Sequence, residues 1–479
     1  MNIERIAMNE NVLAEMAYRG IDLLLRDDPS LYDLLTREYH RQTHTLAMVA
    51  ASSIAHPSVL ACEGMITTNV TTEGYPGARF HAGCQFVDEI ERLAIQRAKA
   101  AYKARYANVQ AHSGTSANEA VILSLLKPGD TILGLELNSG GHLTHGSKAS
   151  VSGQYFHAVG YGVDEEGYID YEQVQRLAQK FKPKLIISGA SAYPRTIDFK
   201  RFREIADEVK AFLLADISHI AGLVAAGEHP SPIDHAHFTT TSTYKQLYGP
   251  RGGLILIGKD DQSLAPNGKE TLSEMIQRAI FPLSQGTPNL SAIAAKARAL
   301  AMVVTPEFRA LAQRIVTDAI VLAQCLAEKG YRILTGGTDN HIVLIDVLAS
   351  GVTGAIAERA LEECHIIVNR NRIPADKKSV WVTSGMRLGT NSVALRGMGP
   401  SEMPKCAGLI HWVLSCVKVL GDREYELGRG LKEFIQAEVR ELCSLFPIPC
   451  YPMQGVNGDG VKERYDRAEP GRFIGRRHV

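Results

Sequence analysis

Lys184-Leu-Ile-Ile-Ser188 and Ala211-Phe-Leu-Leu-Ala-Asp216 are short apolar runs separated by a polar, helix-patterned stretch from Phe202 to Lys210. A strand that is apolar at consecutive positions has both faces buried, which marks a parallel sheet covered by helices rather than an antiparallel sheet with one wet face. Working outward, Asp130-Thr-Ile-Leu-Gly-Leu-Glu136 upstream and Gly253-Leu-Ile-Leu-Ile257 downstream repeat the pattern, and Tyr171 to Phe181 reads as another intervening helix. The alternation predicts an α/β architecture with a mainly parallel sheet. Beyond it, Leu290 to Glu328 reads as one long helix. The apolar runs His341-Ile-Val-Leu-Ile-Asp346 and Val380-Trp-Val-Thr383, with helices between them, predict a second, smaller α/β domain. The expected division is a helical arm over 1–45, a large domain over 46–300, a small C-terminal domain over 301–453 and a mobile tail over 454–479, rich in glycine and charge.

The 479 residues carry 52 Lys+Arg against 52 Asp+Glu, and 45% are hydrophobic. That balance excludes a disordered chain and offers no electrostatic footprint for nucleic acid or a membrane surface, which leaves small molecules and other copies of the chain as expected partners. Eight cysteines are scattered without a C-x-x-C pair or a neighbouring histidine group, so neither a disulfide framework nor a metal site is expected. The first residues lack a signal-peptide pattern. The most apolar later run, Ala407 to Leu420, is broken by His411, Ser415 and Lys418 and reads as a buried helix, so a cytoplasmic location is expected.

Gly253-Leu-Ile-Leu-Ile-Gly258-Lys259 has the spacing of a phosphate-binding P-loop, but Asp260 stands where Ser or Thr is required and the intervening residues form a strand. More informative are polar residues at the ends of apolar runs, where open α/β sheets bind their ligands. Asp216 ends one such run. Lys245 lies between Thr239-Thr-Thr-Ser242-Thr-Tyr244 and Gly249-Pro-Arg-Gly-Gly253, a lone amine between small hydroxyls and a stiff turn. A lysine in a dry pocket is a nucleophile for carbonyls, and an aspartate can hold a protonated ring nitrogen; pyridoxal phosphate needs both. The bland alternative is a capping aspartate and a surface lysine. Ser113-Gly114-Thr115 precede a helix expected over Glu119 to Leu126, and suit an anion as well as a plain cap. In Gly140-Gly-His142-Leu-Thr-His145-Gly146, glycines allow close approach and an imidazole could lie on a heteroaromatic ring, or either histidine could be a core residue.

With these residues in place, the chain resembles the serine hydroxymethyltransferase family from about Gln42 to Gly397. The motifs, in order, are Glu73-Gly-Tyr-Pro-Gly-Ala-Arg-Phe-His81, Ala107 to Gly114, Gly140 to Gly146, Asp216-Ile-Ser-His-Ile-Ala-Gly-Leu223, Lys245 with Gly249 to Gly253, and Ser384-Gly-Met-Arg-Leu-Gly389. The resemblance implies the fold-type I architecture of pyridoxal-phosphate enzymes, with a large seven-stranded, mainly parallel sheet and a homodimer or dimer of dimers with shared active sites. It implies that Lys245 carries the cofactor covalently, Asp216 meets the ring nitrogen and His142 stacks on the ring. Ser191 and His219 would lie against the ring oxygen. Ser113, Gly114 and Thr115, with Ser242 beside them, would hold the phosphate, and Gln285 and Gly286 would come from the second subunit. Arg387 would grip the substrate carboxylate. Glu73, also from the second subunit, would be the acid/base group, so that Lys245, Glu73, His142, Asp216 and His219 form the implied catalytic set. The implied reaction makes or breaks the Cα–Cβ bond of a small β-hydroxy amino acid, with tetrahydrofolate as the possible one-carbon partner.

Several positions depart from the family pattern. Thr71 and Phe80-His81 stand where tyrosines are usual, next to the substrate with Glu73, and resemble the branch acting on α-methylserine and alanine. Tyr244 replaces a histidine, Ala51 a serine and Ala375 an asparagine that binds the pterin, whereas Leu137, Gly141, Leu143 and Phe281 keep the pterin-side wall. The alternatives are a folate-independent aldolase or transaldolase of the same family, and a catalytically silent binding subunit.

Overall fold

A computed structural model describes residues 12–452; the far N-terminus of the expected arm and the tail over 454–479 lie outside the described residues. The arm's described part is two helices, α1 (Val12–Asp27) and α2 (Pro29–Thr43), neither of which buries a residue. After α3 (Gln85–Tyr102) comes the large sheet, interleaved with helices: β1 (Tyr106–Asn108), α4 (Gly114–Leu125), β2 (Thr131–Leu135), β3 (His157–Tyr161), α5 (Tyr171–Phe181), β4 (Leu185–Gly189), α6 (Phe199–Val209), β5 (Phe212–Asp216), β6 (Phe238–Ser242) and β7 (Gly253–Ile257). Its order is β1-β7-β6-β5-β4-β2-β3; β7 runs antiparallel to both neighbours and the other pairings are parallel. Every residue of β4, β6 and β7 is buried, as continuous apolar or small-hydroxyl runs require when helices cover both faces.

The expected single helix over Leu290 to Glu328 is two, α7 (Leu290–Met302) and α8 (Pro306–Glu328). Thr305 caps α8 by accepting a hydrogen bond from Phe308 N–H, and Pro306 cannot continue a helix from behind, so the break is written locally. Pro306–Glu328 is also the one described helix long and apolar enough to cross a membrane. Its apolar stripe is used inside the protein: Phe308, Ala312 and Ile315 join the large-domain core, and Ala319, Leu322, Ala323 and Leu326 join the small-domain core.

The small domain contains β8 (Arg332–Ile333), β9 (Ile342–Asp346), α9 (Gly354–Glu363), β10 (Asn369–Asn371), β11 (Gly385–Gly389), α10 (Met403–Cys416) and α11 (Arg429–Leu445). Its sheet is antiparallel, in the order β8-β9-β11-β10. Val380 to Thr383, expected as a strand, forms turns, and the strand is the glycine-flanked segment five residues on. Residues 46–48, placed by sequence at the start of the large domain, belong to the small one: Leu46-Ala47 pairs in parallel with Ile366-Ile367, and Leu46 and Met48 are fully buried in its core. All eight cysteines are free.

Candidate active site

β5 ends at Asp216, and the bend after it turns the carboxylate into a fully buried pocket at the carboxyl edge of the sheet. Burial alone would raise its pKa, but His145, His142 and the Ser218 N–H outweigh that and hold Asp216 well below the usual carboxylate range. Its Oδ2 accepts from Asn118 Nδ2 at 2.8 Å and meets His145 Nε2 at 3.2 Å, and Oδ1 accepts from Ser218 N at 3.0 Å. His142, His145 and Asp216 have donor atoms within 4.8 Å of one another, a spacing that could also suit a metal ion. The hydrogen bonds already made serve a different end, because they fix an ionised carboxylate with one side left for the cavity. His142 Nδ1 is tied to Thr144 Oγ1 at 2.8 Å. Burial, with the charges of His145 and Lys245, pushes its pKa down to about 4 against the pull of Asp216, so the ring is neutral at pH 7. Gly141 is required here, because a Cβ would stand 2.0 Å from Leu135 O.

Lys245 follows β6, and its ammonium has no hydrogen-bond or ion-pair partner among the described residues. Burial lowers its pKa to about 8; Asp216 opposes the shift, and Arg387 and Arg251 add to it. About a tenth of the amine is therefore unprotonated at pH 7, against almost none at an ordinary lysine pKa. The cavity around it has a volume of about 160 Å³ and is lined by Ser113, Gly114, Thr115, His142, Ala190, Ser191, Asp216, Ser218, His219, Ser242, Tyr244, Lys245, Arg251 and Gly252. One end is the N-terminus of α4, which starts at Gly114 rather than Glu119 because Ser113 and Ser116 form a reciprocal capping box. Ser242 Oγ and His219 Nδ1 are buried without partners. Burial drives the His219 imidazole well below its ordinary pKa, and the ring stacks on His341 with centroids 5.9 Å apart.

Arg387, in β11, is held by Asn369, which accepts from Nε at 3.1 Å, and by the Ser191 carbonyl, which accepts from Nη1. Burial lowers its pKa to about 10, which leaves it fully charged at pH 7. This arrangement fits pyridoxal phosphate. A lysine without a hydrogen-bond partner among the described residues, an ionised carboxylate and a neutral imidazole line one cavity, unpartnered polar atoms stand in its wall, and a capped helix N-terminus at one end suits a phosphate.

Glu73, His81, Gln285 and Gly286 do not line this cavity. They group on the flank of the same chain. His81 Nε2 lies 3.4 Å from Glu73 Oε2, and a Cβ on Gly286 would be 3.3 Å from Glu73 Oε1. Gln285 Oε1 accepts from His112 N at 3.1 Å and its Nε2 donates to Gln110 O at 3.0 Å. Thr71 is exposed in the irregular segment that precedes this hairpin. The hairpin itself is rigid. The Arg79 guanidinium, 3% exposed, donates to Thr72 O and Gly74 O on either side of Glu73 and pairs with Asp88 at 2.8 Å and Glu91 at 2.6 Å.

Sequence reasoning missed Asn118, Ser218 and Arg251 as wall or support of the site, and left His145 between ring contact and core. Asn118 is a polar residue on the otherwise apolar face Ala117, Ala120, Val121, and that interruption was the available signal. Arg251 lies over the Tyr244 ring at 3.8 Å, and Ser53 Oγ donates to the Tyr244 carbonyl.

The family model described as serine hydroxymethyltransferase matches residues 24–410. The chain is 48% identical over 422 residues to a probable serine hydroxymethyltransferase of Rickettsia bellii, covering 88% of this chain and 97% of that one. It is 46% identical over 431 residues to the serine hydroxymethyltransferase of Bartonella quintana, covering 90% and 96%. To the enzyme of that name from Chromohalobacter salexigens it is 45% identical over 421 residues, covering 88% and 97%. Enzymes of this family act on small molecules and are generally oligomeric. The chain belongs to the serine hydroxymethyltransferase family and is a pyridoxal-phosphate-dependent enzyme of fold type I.

Proposed function

We propose that this enzyme moves a hydroxymethyl group reversibly between a serine-type amino acid and its glycine-type partner, with α-methylserine and alanine accepted alongside serine and glycine, and tetrahydrofolate as the one-carbon acceptor. The observation that carries the reading is the Lys245 amine, lowered to about pKa 8, in one cavity with Asp216 and Ser113-Gly114-Thr115, whose wall residue Ser191 accepts from Arg387 through its carbonyl. When bound, pyridoxal phosphate supplies an electron sink that weakens bonds at the amino acid's Cα. Lys245 holds the cofactor covalently and Asp216 keeps a proton on the ring nitrogen. His142, neutral, would stack on the ring, and Ser191 and His219 would serve its ring oxygen. Ser113, Gly114, Thr115 and Ser242 would hold the phosphate from one chain, and Gln285 and Gly286 would come to it from a second copy. Arg387 fixes the substrate carboxylate through its fork of donors, which orients the Cα bonds. Glu73 of the second copy, with His81 beside it, takes the proton from the substrate β-hydroxyl in one direction and returns it in the other. Thr71 in place of a larger ring leaves room for a methyl group at Cα.

Sharing between copies is supported by the grouping of Glu73 with Gln285 and Gly286 away from their own chain's cavity. The exposed apolar residues Val12, Leu13, Ile21, Leu25, Leu34 and Leu35 of α1 and α2 offer further surface for a second copy. A dimer or pair of dimers in the cytoplasm follows from this reading. The test is to incubate the purified holoenzyme with serine or α-methylserine, with and without tetrahydrofolate, and to measure glycine and alanine. Folate-stimulated release of both is expected. Equal rates with and without folate would replace the transferase reading by an aldolase, a result that Ala375 would then explain.

A further inference from the structure

Lys296 lies in α7 and is 2% exposed. Its Nζ donates to Val109 O at 2.6 Å, Ala111 O at 3.0 Å and Gly253 O at 3.0 Å. All three ammonium protons are thus placed on backbone carbonyls, and no carboxylate pairs with it among the described residues. Val109 and Ala111 lead from β1 into Ser113. Gly253 opens β7 directly after Arg251 and Gly252, which line the cofactor cavity. Ala111 O also accepts from Gly253 N at 2.9 Å, so the two segments are stitched at one point. The packing is tight on the side of β7: a Cβ on Gly252 would meet Lys296 Cε at 2.3 Å, and one on Gly253 would meet Ser113 O at 2.2 Å.

An apolar side chain of the same length would fill this space without desolvating a charge, and burial presses the amine down to about pKa 7, with only Glu91 opposing. The site retains an amine where three carbonyls converge, one residue short of the segment that caps α4. We propose that Lys296 is a positioning residue for the cofactor phosphate: it clamps residues 109–111 to residues 252–253, so that the N–H groups opening α4 face the phosphate in a fixed geometry. It never touches the phosphate itself. The proposal rests on the reading that the phosphate sits at Ser113–Thr115.

The experiment titrates apoenzyme with pyridoxal phosphate and, separately, with pyridoxal, which lacks the phosphate, following the absorbance of the lysine-bound aldehyde. In Lys296→Met the dissociation constant for pyridoxal phosphate should rise by roughly tenfold or more while that for pyridoxal stays within about twofold. Equal losses for the two ligands, or no loss for either, would overturn the proposal. Thr115→Ala separates the two levels. If it too fails to discriminate between the ligands, the phosphate placement is wrong and the clamp falls with it; if it discriminates and Lys296→Met does not, only the clamp is refuted. Should Lys296→Met not fold, Gly252→Ala takes its place, since the added methyl displaces the lysine chain. It must show the same phosphate-selective weakening, and an unselective loss or none refutes the clamp.

Discussion

Asp318 sits in α8 with no exposed surface, and neither carboxylate oxygen has a hydrogen-bond partner among the described residues. Burial raises its pKa to about 7; Arg314 pulls the other way and Glu402 adds to the rise. The folded chain therefore keeps a proton that the unfolded chain loses near pH 4. Stability falls as pH rises between about 4 and 7, because in that window the unfolded state binds fewer protons than the folded one. Above pH 7 both states are ionised at this position and the penalty is complete, at most about 4 kcal/mol from the size of the shift. Asp318→Asn is expected to raise the urea midpoint at pH 8 and to change it little at pH 4.5. An equal change at both would show that the carboxylate titrates normally in the fold.

The hairpin bearing Glu73 is braced by the Arg79 guanidinium, which bonds the carbonyls on both sides of Glu73 and two buried carboxylates beneath, and also by the Tyr75 hydroxyl on the Gln277 carbonyl and Gln110 Nε2 on the Gly74 carbonyl. Arg79→Met would leave Glu91 without its cation and Asp88 with Arg92 alone, at a cost on the order of 3–5 kcal/mol, much of which is the penalty of an unpaired buried charge. The expected result is a lower denaturant midpoint together with a fall in kcat. A normal kcat in a destabilised protein would show that Glu73 does not depend on this brace. Elements of this kind divide into those legible in sequence and those not. β5 was readable because its apolar run is uninterrupted and ends in a charge, and α5 matched its expected bounds because its polar and apolar positions alternate with helical period. β11 was not readable. Gly385-Met-Arg387-Leu-Gly389 has glycines at both ends and a charge in the middle, and it is a strand only because β9 and β10 pair with it on either side. The neighbouring Val380–Thr383 has the better strand composition and no partner among the described residues. At the site the same division holds. Lys245, Asp216 and Arg387 stood in recognisable motifs, whereas Asn118 reaches Asp216 across 98 residues of sequence, a closeness that only the folded chain creates.

At the scale of the whole molecule, the separation of Glu73 from Lys245 within one chain gives a direct test of sharing. Neither Lys245→Ala nor Glu73→Gln alone is expected to turn over substrate appreciably. In a mixed dimer of the two, both lesions fall in one site and the other site is intact. Random reassociation makes half the dimers mixed, so about a quarter of the wild-type rate should return. No recovery after mixing would place Glu73 at the site of its own chain.

The pairing of Leu46-Ala47 with Ile366-Ile367 has a consequence for how the protein is made. A ribosome delivering about 5–20 residues per second releases the first partner tens of seconds before the second exists. Until then Leu46 and Met48, fully buried in the finished core, have nothing to cover them, and α8 emerges with half its apolar stripe in the same position. Nascent chains stalled short of residue 366 should thus be cut readily by protease around residue 46, and protection there should arrive only once the late strand has left the exit tunnel.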